Sequence, residues 1–257
     1  MIRLICCDLD GTLVKYGTTD IPDEVFELIR QLHSRGILFA PASGRPYEAL
    51  KKIFSPVADQ CLFLCDNGGV VYDGDGKILS KTTLPREWVM QITRDFWENT
   101  DGLGEVVLSG EQRNYAILRG EGTEGRITQF VSSVTEIKDP SEIEEDVVKI
   151  SVHIGTGVDA YAERFIRKWA CANCAVAGPI WIDCTLANKG TGILALCEAL
   201  GISPEDVAAF GDNYNDVSML DAVGYPYLMD TAAPELLARY PVHIRHPADV
   251  MRQLLQT

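Results

Sequence analysis

Two carboxylates stand two residues apart at the end of an apolar run, Cys6-Cys7-Asp8-Leu9-Asp10-Gly11-Thr12. An aspartate can attack an electrophilic phosphorus, and a second one two positions on is close enough to protonate a leaving alkoxide and later to deprotonate water. Three more stretches carry complementary groups: Ser43-Gly44-Arg45, Asn188-Lys189-Gly190 and Gly211-Asp212-Asn213-Tyr214-Asn215-Asp216. A carboxylate nucleophile needs a cation beside it to approach a phosphate dianion, and Asp8 with Asp212 could hold Mg²⁺ through oxygen ligands. Ser43 offers a hydroxyl, and the neighbourhoods of Gly11 and Gly44 offer backbone N–H groups for phosphate oxygens. Lys189 would neutralise charge spread over the equatorial oxygens. Asp216, four residues after Asp212, would stand behind the metal as an outer carboxylate. The chemistry these groups could do together is phosphoryl transfer.

Each stretch also has a plainer reading. Asp and Gly are common in turns, Ser43 can cap a helix, and Lys189 can be one solvated lysine among many. Asp212 and Asp216 suit a helix start, where the dipole favours acids. What tips the balance is that the stretches follow short apolar strands or precede a helix, the place where open α/β sheets put their ligands.

The elements that must position them follow from the hydrophobic pattern. Ile2 and Leu4 to Cys7 form an almost continuous apolar run, as in a central strand covered on both faces. A helix is expected over Ile21 to Arg35, with Pro22 at its first position and Val25, Ile29 and Leu32 on one face. A strand at residues 37–40, a helix from Tyr47 to Phe54 and a strand from Cys61 to Cys65, broken at Asp66-Asn67-Gly68, continue a doubly wound parallel α/β sheet. Val70 to Lys81 reads as a β-hairpin leaving that sheet.

From residue 83 to 184 the pattern is that of an inserted α+β domain. It has helices at Pro85–Asn99 and Tyr161–Ala170, and strands at 106–108, 115–118, Val147–Ile154 and within Ala175–Ile182. The core domain is then residues 1–82 with 185–257. Its second part has a helix from Gly190 to Leu200 with Ile193, Leu194 and Leu196 inward, and a buried strand at Val207–Phe210. Edge strands at Tyr225–Met229 and 242–244 and a closing helix at Ala248–Leu255 complete it. Hinges are expected near residues 81–84 and 184–187.

Whole-chain properties narrow the function. Lys and Arg number 23 against 37 Asp and Glu, a net charge of −14, which argues against general binding of nucleic acid or anionic membranes. No apolar run approaches the roughly 18 residues of a membrane helix, and Met1-Ile2-Arg3 leads straight into a strand, so the default expectation is a cytoplasmic protein. Of the eight cysteines, Cys6, Cys7, Cys61, Cys65 and Cys197 lie in apolar surroundings. Cys171 and Cys174 form a CxxC without a second ligand pair for zinc or a thioredoxin-like setting. All are expected to be structural thiols.

Taken together, Asp8-Leu9-Asp10-Gly11-Thr12-Leu13, Ser43-Gly44-Arg45-Pro46, Lys189-Gly190 and Gly211-Asp212-Asn213-x-Asn215-Asp216-x-x-Met219 resemble the four motifs of the haloacid dehalogenase superfamily. The long insertion and Asp66-Asn67-Gly68 resemble its Cof-type subgroup with a class IIB cap. The resemblance implies a Mg²⁺-dependent phosphatase working through an aspartyl-phosphate. Asp8 would be nucleophile and Asp10 general acid and base. Mg²⁺ would be held by the Asp8 carboxylate, the Asp10 carbonyl and Asp212, with Asp216 supporting the shell. Ser43 and Lys189, helped by Asn215, would bind the phosphoryl group. Asp10 favours a phosphatase or phosphomutase over a dehalogenase or transport ATPase. Met229-Asp230-Thr231-Ala232 departs from the family's usual Met-x-Asn-Ala. The implied substrate is a small phosphorylated metabolite, handled by a monomer or homodimer; a phosphomutase and a non-catalytic phosphate-binding regulator are the alternatives.

Overall fold

In the computed structural model, which describes residues 1–100, 104–119, 134–153, 161–177 and 181–256, the chain divides into two compact units. One unit combines Met1–Lys81 with Asn188–Thr257, and the other is Thr82–Ala187.

The first unit opens with β1 (Leu4–Asp8), α1 (Asp23–Ser34), β2 (Leu38–Ala42), α2 (Tyr47–Ile53), β3 (Phe63–Cys65), β4 (Val70–Tyr72) and β5 (Ile78–Lys81). The inserted unit contributes α3 (Arg86–Asn99), β6 (Gly104–Gly110), β7 (Asn114–Arg119), β8 (Thr135–Glu136), β9 (Val147–His153), α4 (Ala162–Lys168), β10 (Ala175–Val176) and β11 (Trp181–Cys184). The chain then returns through α5 (Lys189–Leu200), β12 (Val207–Gly211), α6 (Val217–Leu220), β13 (Tyr225–Met229), α7 (Pro234–Arg239), β14 (His243–Ile244) and α8 (Pro247–Gln256). No helix among the described residues is long and apolar enough to cross a membrane.

The first unit is built on an eight-stranded sheet in the order β14-β13-β12-β1-β2-β3-β4-β5. β1 lies between β12 and β2, parallel to both, and each of its residues is buried. Alternation along a strand sends neighbouring side chains to opposite faces. Leu4 and Cys6, with Ala40 and Ala42 of β2 and Val207 and Ala209 of β12, join a cluster with Ile193 and Leu196 of α5. Asp8 shares their parity and therefore emerges on the α5 face. Ile5 and Cys7 point to the other face, where α1 packs against α8. Burial pushes the thiols of Cys6 and Cys7 up, as expected of inert core cysteines.

Several expected boundaries shift. Pro22 is the residue before α1 rather than its first member. β2 runs on through Pro41 to Ala42. The missing N–H of Pro41 falls on the β3 side, where the β2–β3 ladder registers only Ala42 with Leu64, so the proline costs little pairing. The hairpin does not leave the sheet: β4 pairs antiparallel with β3 and carries β5 as the edge. Leu194, expected inward on α5, is 46% exposed, because the inward face of that turn is taken by Gly190, Gly192 and Ile193.

The inserted unit is a six-stranded sheet in the order β10-β11-β9-β6-β7-β8, mostly antiparallel. Val106, Leu108, Ile150, Val152 and Ile182 on one face pack with Ile92 and Phe96 of α3 and Phe165 of α4. The opposite face carries polar residues that are nonetheless buried, among them Glu105, Lys149 and His153, with His153 Nδ1 3.2 Å from Glu105 Oε2. Ile154, expected at the end of β9, and the centre of the Ala175–Ile182 stretch lie outside the described residues. The expectation that all cysteines are free thiols fails at one pair. β10 and β11 run antiparallel with Ala175 opposite Asp183, which sets Cys174 beside Cys184, and the two form a disulfide; Cys171 is free and exposed.

The turn after β3 is left-handed: Asp66, Asn67 and Gly68 have φ of 50°, 55° and 92°. Two successive non-glycine residues there are costly, and Gly68 adds a close approach. A Cβ on it would stand 2.4 Å from the Asn188 carbonyl oxygen at the start of α5. Gly68→Ala is therefore expected to lower the thermal midpoint by several degrees, equivalent to about 1–3 kcal/mol, in differential scanning calorimetry.

Candidate active site

The core of the site is a buried cation between two acids. Lys189 is the first residue of α5, and its side chain is 1% exposed. Its Nζ donates to Asp8 Oδ1 at the end of β1 and, over 2.6 Å, to Asp216 Oδ1. Asn188 caps α5, accepting from the Thr191 N–H while the Thr191 hydroxyl accepts from the Asn188 N–H. That reciprocal cap fixes where the helix starts and so where Lys189 points.

Asp216 is fully buried, and its second oxygen accepts from the backbone N–H groups of Asp212 (3.0 Å) and Asn213 (3.1 Å). It thus ties the loop after β12 to Lys189. Asp212 has its oxygens on two hydroxyls: Thr12 donates to Oδ1 over 3.1 Å and Tyr16 to Oδ2 over 2.6 Å. Carboxylate oxygens of Asp8, Asp212 and Asp216 lie within 4.8 Å of one another. Asp8 Oδ2 is buried and has no hydrogen-bond partner among the described residues.

Asp10 sits in the turn that follows β1. Arg45 holds it as a bidentate pair, with Nε 3.0 Å from Oδ2 and a terminal nitrogen 2.7 Å from Oδ1. The left-handed turn steadies Arg45 in its own right. The Asp66 N–H donates to the Arg45 carbonyl and the Asn67 N–H to the Ser43 carbonyl. The Ser43 side chain is buried, its Oγ accepting from the Arg45 N–H over 3.2 Å. Gly44 lies where a Cβ would stand 3.2 Å from Asn67 Nδ2.

Gly11 departs from expectation. Its N–H donates to the Val14 carbonyl within the turn, so that donor is already used. What the glycine supplies is a φ of +95° and clearance, since a Cβ would lie 2.4 Å from Asp212 Oδ2. Asn215 is exposed, in the short helical turn that ends at Asp216.

Sequence reasoning missed three contributors. Arg45 stood inside a singled-out stretch, but nothing in its sequence neighbourhood names Asp10, 35 residues away, as its partner. Thr12 also lay within the motif, but its use as a donor to a residue 200 positions away has no local signature. Tyr16 follows the motif with no periodicity to mark it.

Electrostatics follow from burial. The Asp8 carboxyl is pushed up to about 7, chiefly by burial; Lys189 opposes this and Asp216 adds to it. Asp212 is raised as well, again chiefly by burial. Burial alone would lower the Lys189 ammonium, but the Asp8 and Asp216 carboxylates outweigh it and hold it above its ordinary value.

A family model described as haloacid dehalogenase-like hydrolase matches residues 5–249. Among curated proteins, the HMP-PP phosphatase of Serratia proteamaculans is 26% identical, over 94% of this chain and 88% of its own length. The 5-amino-6-(5-phospho-D-ribitylamino)uracil phosphatase of Escherichia coli is 23% identical, over 92% and 88%. Among solved structures, a sugar phosphatase of haloacid dehalogenase subclass IIB superposes with a TM-score of 0.78 at 20% identity, covering 98% of both chains.

The raised Asp8 pKa sets a pH dependence in metal-free protein. The folded state keeps a proton on Asp8 where the unfolded chain, near 3.8, has lost it. Its contribution to stability is full below that value and falls as pH rises towards about 7. Urea unfolding in EDTA between these limits should show stability declining with pH, and Asp8→Asn should flatten that slope. Equal slopes in the two proteins would remove Asp8 as the cause.

Proposed function

The chain belongs to the haloacid dehalogenase-like hydrolases, and from that premise we propose that it is a Mg²⁺-dependent phosphatase of small organic phosphate monoesters that works through an aspartyl-phosphate on Asp8. The observation that carries this reading is the state of Asp8 itself. One oxygen is held by the Lys189 ammonium, and the other is buried without a partner. A buried polar atom with no partner is rare in a settled core, and a group awaiting a metal or phosphorus accounts for it.

The donors suit a hard divalent ion. Mg²⁺ takes oxygen ligands and few protein carboxylates, and Asp8 and Asp212, with the Asp10 carbonyl, would supply them. Asp216 already accepts from Lys189 and two backbone N–H groups, so it serves as an outer carboxylate that orients the loop. Bound there, Mg²⁺ would withdraw charge from the phosphoryl oxygens and offset their repulsion of Asp8.

Asp8 attacks phosphorus, forming an Asp8 Oδ–P bond as the ester P–O bond breaks, and Asp10 passes a proton to the departing alkoxide. Asp10, now ionised, takes a proton from water as that water attacks the aspartyl-phosphate and releases inorganic phosphate. Lys189, the Ser43 hydroxyl, the Gly44 N–H and Asn215 hold the phosphoryl oxygens. Arg45 keeps the Asp10 carboxylate in place between the two half-reactions. The names of the two curated relatives, both phosphatases of small phosphorylated metabolites, support the substrate class.

With p-nitrophenyl phosphate and a panel of phosphate esters in Mg²⁺, Asp8→Asn is expected to lose turnover by at least about 10³-fold with an unchanged circular dichroism spectrum. Residual activity near wild type would sink the nucleophile assignment. Asp10→Asn should behave differently. Nitrophenolate leaves without a proton, so this variant is expected to give a burst of about one equivalent and then stall at the aspartyl-phosphate; a slow linear release with no burst would contradict the proton role. EDTA should stop turnover and excess Mg²⁺ restore it, and undiminished rates in EDTA would contradict the metal.

A further inference from the structure

Asp212 is anchored differently from the two acids beside it. Asp8 answers an ammonium, and Asp216 takes that ammonium and two backbone N–H groups. The half-buried Asp212 is held by two neutral hydroxyls from the loop after β1, Thr12 on Oδ1 and Tyr16 on Oδ2. We propose that Tyr16 is a positioning residue whose hydroxyl aims Asp212 and thereby sets the affinity of the site for a divalent cation. This rests on the metal assignment of the phosphatase reading.

The bond is short, 2.6 Å against 3.1 Å for Thr12, although Tyr16 as a whole is 62% exposed. Water can satisfy a carboxylate in such a place, so a donor brought from 196 residues away adds direction rather than solvation. The phenol has a single hydrogen, and its direction is set as well. Asn213 Nδ2 donates to the phenol oxygen over 3.3 Å, which leaves the hydroxyl hydrogen for Asp212. The ring also has a prepared seat. A Cβ on Gly11 would stand 2.5 Å from Tyr16 Cε2 and 2.4 Å from Asp212 Oδ2, so the ring and the carboxylate share the space above one glycine.

The charge of the donor matters as much as its place. A lysine or arginine here would orient Asp212 but also answer its charge, in competition with a metal. A phenol orients the carboxylate and leaves that charge available. Each carboxylate oxygen has a second lone pair, so Asp212 remains able to ligate while both hydroxyls hold it. A group that fixes a ligand from behind is typically worth about 10- to 100-fold in metal affinity.

The experiment uses the full chain, stripped of metal with EDTA and dialysed, and no substrate. Mn²⁺ is the probe, an ion that shares the preference of Mg²⁺ for oxygen ligands, and its binding is read by electron paramagnetic resonance. Tyr16→Phe keeps the ring over Gly11 and removes only the hydroxyl. Its Mn²⁺ dissociation constant is expected to rise by about 10- to 100-fold with unchanged stoichiometry, and competition by Mg²⁺ should show the same shift. The thermal midpoint in EDTA should hold, because the hydroxyl acts on the metal ligand and not on the fold. An unchanged Mn²⁺ affinity in Tyr16→Phe overturns the proposal and leaves the phosphatase reading in place. A midpoint in EDTA that falls together with the affinity makes the hydroxyl a fold contact and overturns it too. Wild-type protein that takes up no Mn²⁺ overturns the metal assignment itself, and this proposal with it.

Discussion

A lysine ammonium closed off from water can persist only where its charge is answered at contact distance, and the structure of the first unit is arranged round that requirement. Lys189 reaches Asp8 on β1 and Asp216 after β12, so one cation joins three separate parts of the chain. The desolvation of such a set is offset only when geometry and secondary hydrogen bonds are good. Here the Asn188 cap fixes the helix start, and two backbone N–H groups satisfy the far oxygen of Asp216. Two acids face one ammonium, so the set carries excess negative charge once both are ionised, which the buried Asp8 resists up to about pH 7. That excess is what a divalent cation beside Asp212 would balance, and it makes the site electrostatically incomplete as a purely structural ion pair.

Support spreads outward from this set in two directions. On one side, Thr12 and Tyr16 hold Asp212 through hydroxyls, so the loop after β1 orients the loop after β12. On the other, Arg45 grips Asp10 and is itself held through its carbonyl by the turn at Asp66 and Asn67. Those residues sit in a left-handed conformation that costs energy, and the same turn meets the start of α5 through Gly68. A single strained turn thus sets both the Arg45–Asp10 pair and the helix that presents the lysine.

What the sequence disclosed follows the range over which each signal acts. The apolar run before Asp8 marks a central strand, and the parity of Leu4, Cys6 and Asp8 can be counted directly from the chain. The carboxylates, Ser43 and Lys189 stood out because residue type and position at a strand end reinforce each other. Tyr16 and Thr12 act across nearly 200 residues, and no local pattern encodes such a partner. The pairing of β4 with β3 was hidden because a hairpin reads the same whether it leaves a sheet or extends it. The disulfide depended on register between β10 and β11: a shift of one residue would separate Cys174 from Cys184, and spacing along the chain does not report register. Leu194 was misplaced because glycines rather than leucines fill the crowded face of α5.

The central strand also sets the order in which the protein can be made. β1 emerges from the ribosome before the other described elements, yet one of its two sheet neighbours, β12, begins only at Val207, and the ammonium that answers Asp8 lies 181 residues downstream. While the intervening unit is synthesised, the apolar strand can pair only with β2. The first half-sheet therefore exists for some time as an open edge, with an uncompensated carboxylate at its tip. Contacts of such long sequence separation form late and slowly. The surroundings of Asp8 are thus completed last, and a truncated nascent chain carries that carboxylate without the ammonium that answers it.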